Sequence, residues 1–215
     1  MHNRPSALII IDMQRDFLEQ GGYAAASGMD VSALRRPIPY IRRLLDHARR
    51  HGMLIIHTRE GHRTDLSDCP PAKLARSRNA GAEIGSAGPL GRLLVRGEYG
   101  HDIIDELQPI PREPVVDKPG YGAFHQTDLA QILGAHDIRS LFICGVTTEV
   151  CVHSTLREAV DRGYRCTVVA DACGSAHQHL HDAAMQMVGV EGGIFGAVAD
   201  TDTVLAQISQ GVGLS

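Results

Sequence analysis

The sequence predicts an α/β fold, in which one doubly wound parallel sheet carries helices on both faces and forms three layers. Two observations support this prediction. The 215-residue chain is 43% hydrophobic, which suffices for one substantial core. Short, almost continuously apolar runs alternate with longer segments of helical period, as in β-α-β units whose strands are covered on both faces. We therefore treat residues 1–215 as a single domain.

The apolar runs give the predicted strands, and the periodic segments give the predicted helices. The strands are expected at 7–11, 53–57, 114–116, 140–144 and 166–170. The helices are expected at 38–51, 127–135, 149–162 and 178–188. Residues 61–100 are rich in Gly, Pro, Ser and Arg, which indicates a long functional excursion rather than a linker between domains.

Charge and composition argue against several classes of partner. The 21 basic residues nearly balance the 25 acidic ones, and no basic run is present, so we expect no nucleic-acid partner. No apolar stretch approaches the roughly 20 residues that span a bilayer, and 1–6 is too short and polar for a signal peptide. These features predict a cytoplasmic protein without a membrane partner. The 5 cysteines include no C-x-x-C pair, so neither a disulfide framework nor a cysteine zinc site is expected.

Chemically useful residues follow every predicted strand. In an open parallel sheet, ligands bind beyond the carboxyl ends of the strands, so these residues are candidates for one shared site. A single acid at such a position is more often a helix cap or a solvated loop residue, but several together favour function. The candidates in chain order are Asp12, His57, Thr58, Arg59, Glu60, Asp117, Lys118, Thr147, Thr148 and Asp171.

Cys151 is the candidate nucleophile. It follows a strand and a glycine-containing turn, with Thr147 or Thr148 as the expected cap of a helix. The helix dipole and a nearby cation such as Lys118 would lower the pKa of its thiol and give a thiolate near neutral pH. The same turn would direct backbone N–H groups toward an oxyanion. Cys144 and Cys166 lie inside apolar runs and are expected to be buried hydrophobic residues.

A cysteine amidase also needs a group that carries protons between the thiol, the leaving amine and water. Asp12 and His153 are the candidates. His153 lies two positions after Cys151 on the predicted helix and therefore faces about 200° away from it. We interpret His153 as a structural or surface residue.

Three segments resemble, in order and spacing, the signatures of the isochorismatase-like cysteine hydrolases: 7–17, 118–124 and 145–152. The resemblance implies a Rossmann-type α/β/α fold and a catalytic set in which Asp12 is the general base and acid. Lys118 would hold Asp12 ionised and favour the thiolate, and Cys151 would be the nucleophile. It also implies a cis peptide bond between Val146 and Thr147, an oxyanion hole built from the N–H groups of Thr147 and Cys151, and a homo-oligomer, commonly a tetramer.

Members of this family differ in their use of metal. Those that cleave nicotinamide hold a metal through Asp-x-His and a further histidine. This chain has Glu60-Gly61-His62 and lacks the second histidine, so we expect neither a metal nor another cofactor. His177 and His181 have the spacing of helical metal ligands, but they lie away from any strand end.

Segments 57–66, 117–120 and 192–196 resemble the biuret hydrolase group, whose substrates include biuret, triuret and ureidoacrylate. The resemblance implies a small linear ureide as substrate. Where biuret hydrolases carry glutamine, this chain has Glu191, which accepts hydrogen bonds only and would favour triuret, although Glu191 could also be a solvated loop acid.

Further candidates for the pocket are Phe17, Tyr121 and Phe124 as its walls, with core packing as the alternative for the two phenylalanines. Arg59 and Arg63 would hold a carbonyl or carboxylate, or would pair with Asp65 or Asp68. Other functions compatible with the sequence are a nicotinamidase, an N-carbamoyl amino acid amidase and a non-catalytic scaffold. A scaffold would be expected to have lost part of the catalytic set, and none of it is missing.

Overall fold

The computed structural model describes residues 5–210, and its centre is a six-stranded parallel sheet. The strands are β1 (Ser6–Ile11), β2 (Leu54–Glu60), β3 (Ala87–Gly88), β4 (Gly91–Arg92), β5 (Val115–Lys118), β6 (Ser140–Val146), β7 (Arg165–Gly174) and β8 (Ala197–Ala199). The order in the sheet is β5-β2-β1-β6-β7-β8, and β3 and β4 form a separate antiparallel hairpin. The five predicted strands are present. The edge strand β8 was not predicted because it has only three residues and directly follows the glycine-rich segment 192–196.

The helices lie between the strands and cover the sheet. They are α1 (Arg15–Leu18), α2 (Tyr23–Ala26), α3 (Val31–Arg35), α4 (Ile38–Arg50), α5 (Pro71–Asn79), α6 (Leu129–Ala135), α7 (His153–Asp161), α8 (Gln178–Val188), α9 (Val190–Gly193) and α10 (Thr201–Ser209). A 3₁₀ turn spans Asp105–Leu107, and a π-helical turn at Thr148–Val152 precedes α7. Within residues 5–210, no helix is long and apolar enough to cross a membrane.

The order of the strands explains the three layers. From β1 the chain crosses to β2 in one direction, whereas from β6 it crosses to β7 in the opposite direction. Because parallel crossovers are right-handed, the connecting helices α4 and α7 lie on opposite faces of the sheet. The last helix, α10, packs beside α4. The predicted single α/β/α architecture is confirmed.

The reversal of direction between β1 and β6 marks where a ligand site is expected in such a sheet. Both strands are buried along nearly their whole length, since neighbours cover them on both faces. At their carboxyl ends Ile11 pairs with Gly145, whose φ is 121°. A Cβ atom on Gly145 would lie 2.1 Å from the carbonyl oxygen of Ile11, so only glycine permits this approach.

The excursion at 61–100 folds back over the carboxyl ends of the strands. Asp16, just after β1, holds it there, because its Oδ2 accepts a hydrogen bond from the N–H of Leu94 at 2.9 Å. The other carboxylate oxygen of Asp16 accepts from the N–H of Tyr23 in α2. Leu94 in turn accepts from the N–H of His62 at 2.8 Å. The excursion also contains α5 and the β3–β4 hairpin, and it supplies one side of the site described next.

Candidate active site

A buried ion pair between Asp12 and Lys118 lies at the centre of the site. Asp12 follows β1 with φ 52°, a left-handed conformation that is uncommon outside glycine and often marks a functional site. Lys118 ends β5, two strands away, and its Nζ reaches to 2.7 Å from Asp12 Oδ2. Thr58 of β2 donates to Asp12 Oδ1 at 2.6 Å. Both partners of the ion pair are fully buried, so bulk water does not screen their attraction.

Burial sets the proton affinities of this pair. It raises the pKa of Asp12, an effect that the charge of Lys118 opposes and the charge of Glu60 reinforces. For Lys118, burial lowers the pKa, but the neighbouring carboxylates of Asp12 and Glu60 raise it far more. Lys118 therefore stays an ammonium ion, and Asp12 has the raised proton affinity that a general base requires.

Cys151 reaches the same point from the end of β6. The Val146–Thr147 peptide bond is cis, as expected from the resemblance. The carbonyl oxygen of Thr147 then accepts from the N–H groups of Val150 and Val152, both at 3.2 Å, so Cys151 lies in a wide π-helical turn. No threonine side chain caps this turn, contrary to expectation. The Thr148 hydroxyl instead hydrogen-bonds Nδ1 of His181 at 3.0 Å.

Glu60, the last residue of β2, lies directly beside Cys151. Its Oε2 is 3.3 Å from the Sγ atom of Cys151 and 3.7 Å from Lys118 Nζ. Its Oε1 is 2.6 Å from the Nζ of Lys73, which comes from α5. Burial by itself raises the pKa of Glu60, but the charges of Lys118 and Lys73 outweigh it and lower that pKa. Glu60 is therefore an ionised carboxylate in contact with the thiol.

The expected low-pKa thiolate is wrong for the resting site. Burial raises the pKa of Cys151 well above its ordinary value, since the residue is only 4% exposed. Lys118 lowers the pKa, whereas the two carboxylates of Asp12 and Glu60 raise it again. Sequence reasoning counted the cation and the helix dipole but not the desolvation. Cys151 is therefore a neutral thiol until another group takes its proton.

An Isochorismatase domain profile matches residues 6–203 of the chain. The chain belongs to the isochorismatase family. It is 34% identical over 218 residues to the ureidoacrylate amidohydrolase RutB of Serratia proteamaculans, an alignment that covers 95% of this chain and 85% of that protein. It is 36% identical over 174 residues to the same enzyme of Cronobacter sakazakii, covering 80% and 75% of the two chains.

A solved structure shows that this isochorismatase-family chain shares its fold with a known cysteine hydrolase. The crystal structure of a cysteine hydrolase from Pseudomonas syringae pv. phaseolicola superposes with a TM-score of 0.83 at 25% identity, covering 99% of this chain and 96% of the other. The sequence-based predictions of the family and of an amide-hydrolysing enzyme are thereby confirmed.

Two residues of the site escaped sequence reasoning. Lys73 donates to the carbonyl oxygen of Pro119 at 2.6 Å besides pairing with Glu60, and it is buried. It lies in the excursion, where no periodic pattern distinguishes it from a surface lysine. Gln14 is fully buried and hydrogen-bonds the backbone of Glu60. Its position in the first signature segment of the isochorismatase family was the available signal.

The predicted aromatic walls fall into two groups. Phe17 packs edge-on against Tyr23 with ring centroids 5.9 Å apart, and the ring of Tyr121 lies 4.8 Å from Lys73 Nζ. Burial, followed by the charge of Glu60, raises the pKa of Tyr23 to about 12. Phe124 instead stacks on Tyr164 at 5.8 Å, within the core.

The charged candidates are engaged elsewhere or exposed. Arg59 pairs with Asp117 at 2.8 Å and with Asp102 at 3.1 Å, rather than with Asp65 or Asp68. Glu191 is exposed on α9 with φ 51°. Within residues 5–210, no hydrogen bond or ion pair joins it to Asp12, Glu60, Lys118 or Cys151.

Other polar residues have structural roles. His153 contacts the carbonyl oxygen of Ala184 through Nε2 at 3.1 Å and accepts from Arg157, as its structural interpretation requires. Asp171 anchors the first residue of α10 to β7 by accepting from the N–H and hydroxyl of Thr201. Cys144 and Cys166 are buried, as predicted.

Within residues 5–210, one set of ligand-type atoms is close enough to hold a metal ion. The atoms belong to Asp12, Glu60 and Cys151, and all lie within 4.8 Å of one another. Both carboxylates already pair with the ammonium groups of Lys118 and Lys73. A divalent cation would have to displace two buried cations, so the donor set fits proton transfer better than metal binding. His62 belongs to Glu60-Gly61-His62, the segment that stands where the metal-binding members of the family carry Asp-x-His. Its Nδ1 lies 3.3 Å from Oδ1 of Asp68.

Proposed function

We propose that this chain hydrolyses a C–N amide bond of a small linear ureide through a thioester on Cys151. One observation carries the proposal: a buried thiol lies beside two carboxylates, each held by its own lysine. The cluster contains two ammonium groups, two carboxylates and one neutral thiol. Transfer of the thiol proton to Asp12 therefore changes no net charge inside the protein, which makes the transfer cheaper than ionising an isolated thiol.

In the first half-reaction, Asp12 takes the proton of Cys151 while the sulfur attacks the carbonyl carbon of the ureide. A C–S bond forms, and the carbonyl oxygen becomes an oxyanion that the N–H groups of Thr147 and Cys151 stabilise. Asp12 then gives the proton to the leaving nitrogen, and the C–N bond breaks. The products are ammonia or a smaller urea and a thioester.

In the second half-reaction, Asp12 removes a proton from water, and the hydroxide attacks the thioester carbon. The C–S bond breaks, and the sulfur recovers the proton from Asp12. Lys118 keeps its charge throughout and stabilises whichever of Asp12 and Cys151 is anionic.

Three substrates are consistent with this chemistry: ureidoacrylate, triuret and biuret. The curated relatives described above are ureidoacrylate amidohydrolases, which favours ureidoacrylate. Glu191 is the proposed contact for triuret, which has one more urea unit than biuret and so offers more N–H donors to an ionised carboxylate.

A cavity next to the cluster supports a substrate with a carboxylate. The cavity measures about 700 Å³ and is lined by Arg63, Lys73, Arg76 and Tyr121 among others. The two acidic residues that line the cavity already form ion pairs, Asp68 with Arg96 and Glu158 with Arg162. Within the described chain no carboxylate pairs with Arg63 or Arg76, so both can bind an anion. Of the three candidates, only ureidoacrylate carries a carboxylate.

We also propose that the chain forms a homo-oligomer, with a tetramer as the expected size. The supporting feature is the exposure of apolar side chains on neighbouring parts of the fold, namely Leu180, Met187, Val190, Ile194 and Val198. Light scattering should give a multiple of the 23.2 kDa chain mass, and a fully active monomer would refute the proposal.

The test of the function is ammonia release from ureidoacrylate, biuret, triuret, N-carbamoylsarcosine and nicotinamide. We expect turnover of at least one of the first three, with nicotinamide as the poorest substrate, and no turnover by Cys151→Ser. Acid quenching followed by mass spectrometry should find the acyl adduct on Cys151. Preference for nicotinamide, or full activity of Cys151→Ser, would refute the proposal.

A further inference from the structure

Glu60 is a buried anion that the proton transfers described above do not use. It touches the thiol through Oε2 and holds Lys73 through Oε1. A carboxylate beside a nucleophilic sulfur opposes formation of the thiolate, so as a neighbour of Cys151 it has an electrostatic cost. Its position requires a compensating role.

We propose that Glu60 accepts a hydrogen bond from the nitrogen that remains on the scissile carbonyl, so that it selects ureides over simple amides and releases the Cys151 proton when a ureide binds. This inference rests on the proposed ureide hydrolysis and names the residue that recognises the substrate class.

The positions of the two carboxylates suggest a division of labour. A carbonyl carbon ready for attack lies about 3–3.5 Å from the sulfur. Oxygen atoms of Asp12 and Glu60 lie within 4.8 Å of each other and of Sγ, so both can reach substituents of that carbon. A ureide carbonyl carries two nitrogens. If Asp12 protonates the leaving nitrogen, Glu60 is the acceptor available to the nitrogen that stays.

The charge of Glu60 makes this contact selective. Lys73 and Lys118 lower its pKa, and an ionised carboxylate only accepts hydrogen bonds. The N–H of a ureide satisfies it, whereas a simple amide such as nicotinamide presents carbon there and leaves a buried anion unpaired. Sites with buried polar groups discriminate strongly against analogues that lack the matching donor.

The same contact couples recognition to activation of the nucleophile. In the resting site, the thiol of Cys151 is the donor to Glu60 Oε2. When the N–H of a ureide takes that acceptor, the thiol proton is free to turn toward Asp12, which has the raised proton affinity. A substrate without this N–H leaves the thiol hydrogen-bonded to Glu60.

The experiment compares pairs of substrates that differ only at this position. In malonamide a CH₂ group replaces the central N–H of biuret, and in glutaconic acid monoamide a CH₂ group replaces the ureido N–H of ureidoacrylate. The quantity measured is the ratio of kcat/KM for the ureide to that for its carbon analogue. Dividing the ratio of the wild type by that of a variant cancels the different intrinsic reactivities of the two compounds.

Two variants test the role of Glu60. Glu60→Gln keeps the shape and an uncharged acceptor. The double variant Glu60→Leu with Lys73→Met removes the carboxylate together with its cation, so no buried charge is left unpaired. Because a hydrogen bond to a charged group contributes about 1.5–3 kcal/mol, the ratio should fall by about 10- to 150-fold in the double variant and by less in Glu60→Gln.

A purely structural role for Glu60 would lower the rates on both members of a pair equally. An unchanged ratio in a folded variant, checked by circular dichroism, would therefore overturn the inference while leaving ureide hydrolysis intact. If the wild type cleaves none of biuret, triuret and ureidoacrylate, the proposed function fails and the inference fails with it.

Discussion

The side chain of Gln14 hydrogen-bonds the backbone of Glu60 in both directions. Its Nε2 donates to the carbonyl oxygen of Glu60 at 3.0 Å, and its Oε1 accepts from the N–H of Glu60 at 2.7 Å. The same Nε2 donates to the carbonyl oxygen of His101 at 2.9 Å. Because β2 ends at Glu60, these bonds fix the point from which its carboxylate extends toward Cys151.

Replacement of Gln14 by Ala should therefore impair both stability and catalysis. The change leaves buried backbone groups of Glu60 without partners, which costs about 1–3 kcal/mol for each unsatisfied group. We expect a lower free energy of unfolding in urea and a lower kcat/KM on the preferred ureide. Gln178→Ala removes an exposed glutamine that bonds Asp182, and it should change neither value. Equal behaviour of the two variants would contradict the role given to Gln14.

The contrast between Asp12 and Lys73 explains how much of the site the sequence could predict. The structure brings Asp12, Lys118 and Cys151 together, and each follows an apolar strand in a segment with a recognisable local pattern. Lys73 enters the site only because the excursion folds over the strand ends, a long-range packing event without a local signature. Sequence reasoning also missed the raised pKa of Cys151, because the extent of burial depends on the complete fold.

Lys73→Met should lower both the stability of the protein and its catalytic activity. The substitution leaves Glu60 with only the more distant Lys118, at 3.7 Å, and loss of one partner of a buried pair costs about 3–5 kcal/mol. We expect a large fall in the free energy of unfolding and in kcat/KM. Adding Glu60→Gln should restore part of the stability, since it removes the unpaired charge.

The matched control for Lys73→Met is Arg78→Met. Arg78 lies on the same helix but makes an exposed ion pair with Glu83 at 2.7 Å. Exposed pairs contribute little to stability because water and salt screen them, so this variant should be nearly neutral. Equal losses in the two variants would show that Lys73 acts as an ordinary surface cation.

The thiol of Cys151 should react slowly with iodoacetamide at pH 7. Its pKa is raised by burial and by the neighbouring carboxylates, so the rate of inactivation should keep rising as the pH is increased above 9. Cys69 is the least buried of the five cysteines and should be alkylated first. Peptide mapping by mass spectrometry distinguishes the two sites. An inactivation rate that has already levelled off at pH 7 would contradict the raised pKa and support the low-pKa thiolate that the sequence predicts.

Glu113 should stabilise the fold in a pH-dependent way. Burial by itself raises its pKa, but hydrogen bonds from Arg49, His57 and the N–H of Ile110 outweigh burial and lower the pKa to about 2. A carboxyl whose pKa is lower in the folded state contributes stability above its unfolded value, near 4.5, and loses this contribution as the pH falls through about 2.

Glu113→Gln should therefore lower the free energy of unfolding by about 1–3 kcal/mol at pH 7. The difference from the wild type should shrink between pH 4.5 and 2, as measured by urea unfolding at several pH values. Glu83→Gln breaks only the exposed pair with Arg78 and serves as the control. A difference that stays constant over this range would show that the charge of Glu113 is not responsible.

Arg76→Met should separate the candidate ureides from one another. Arg76 lines the cavity beside the catalytic cluster, and its Nε donates to the hydroxyl of Tyr121 at 3.4 Å. If it also binds the carboxylate of ureidoacrylate, its loss should lower kcat/KM for that substrate by about tenfold or more, since a hydrogen bond to a charged group contributes about 1.5–3 kcal/mol. Biuret has no carboxylate, so its kcat/KM should remain within about twofold, the range of near-neutral substitutions. Arg78→Met, two residues further along the same helix, should affect neither substrate. Equal losses on both substrates would assign Arg76 to the architecture of the cavity and remove the argument for a carboxylate-bearing substrate.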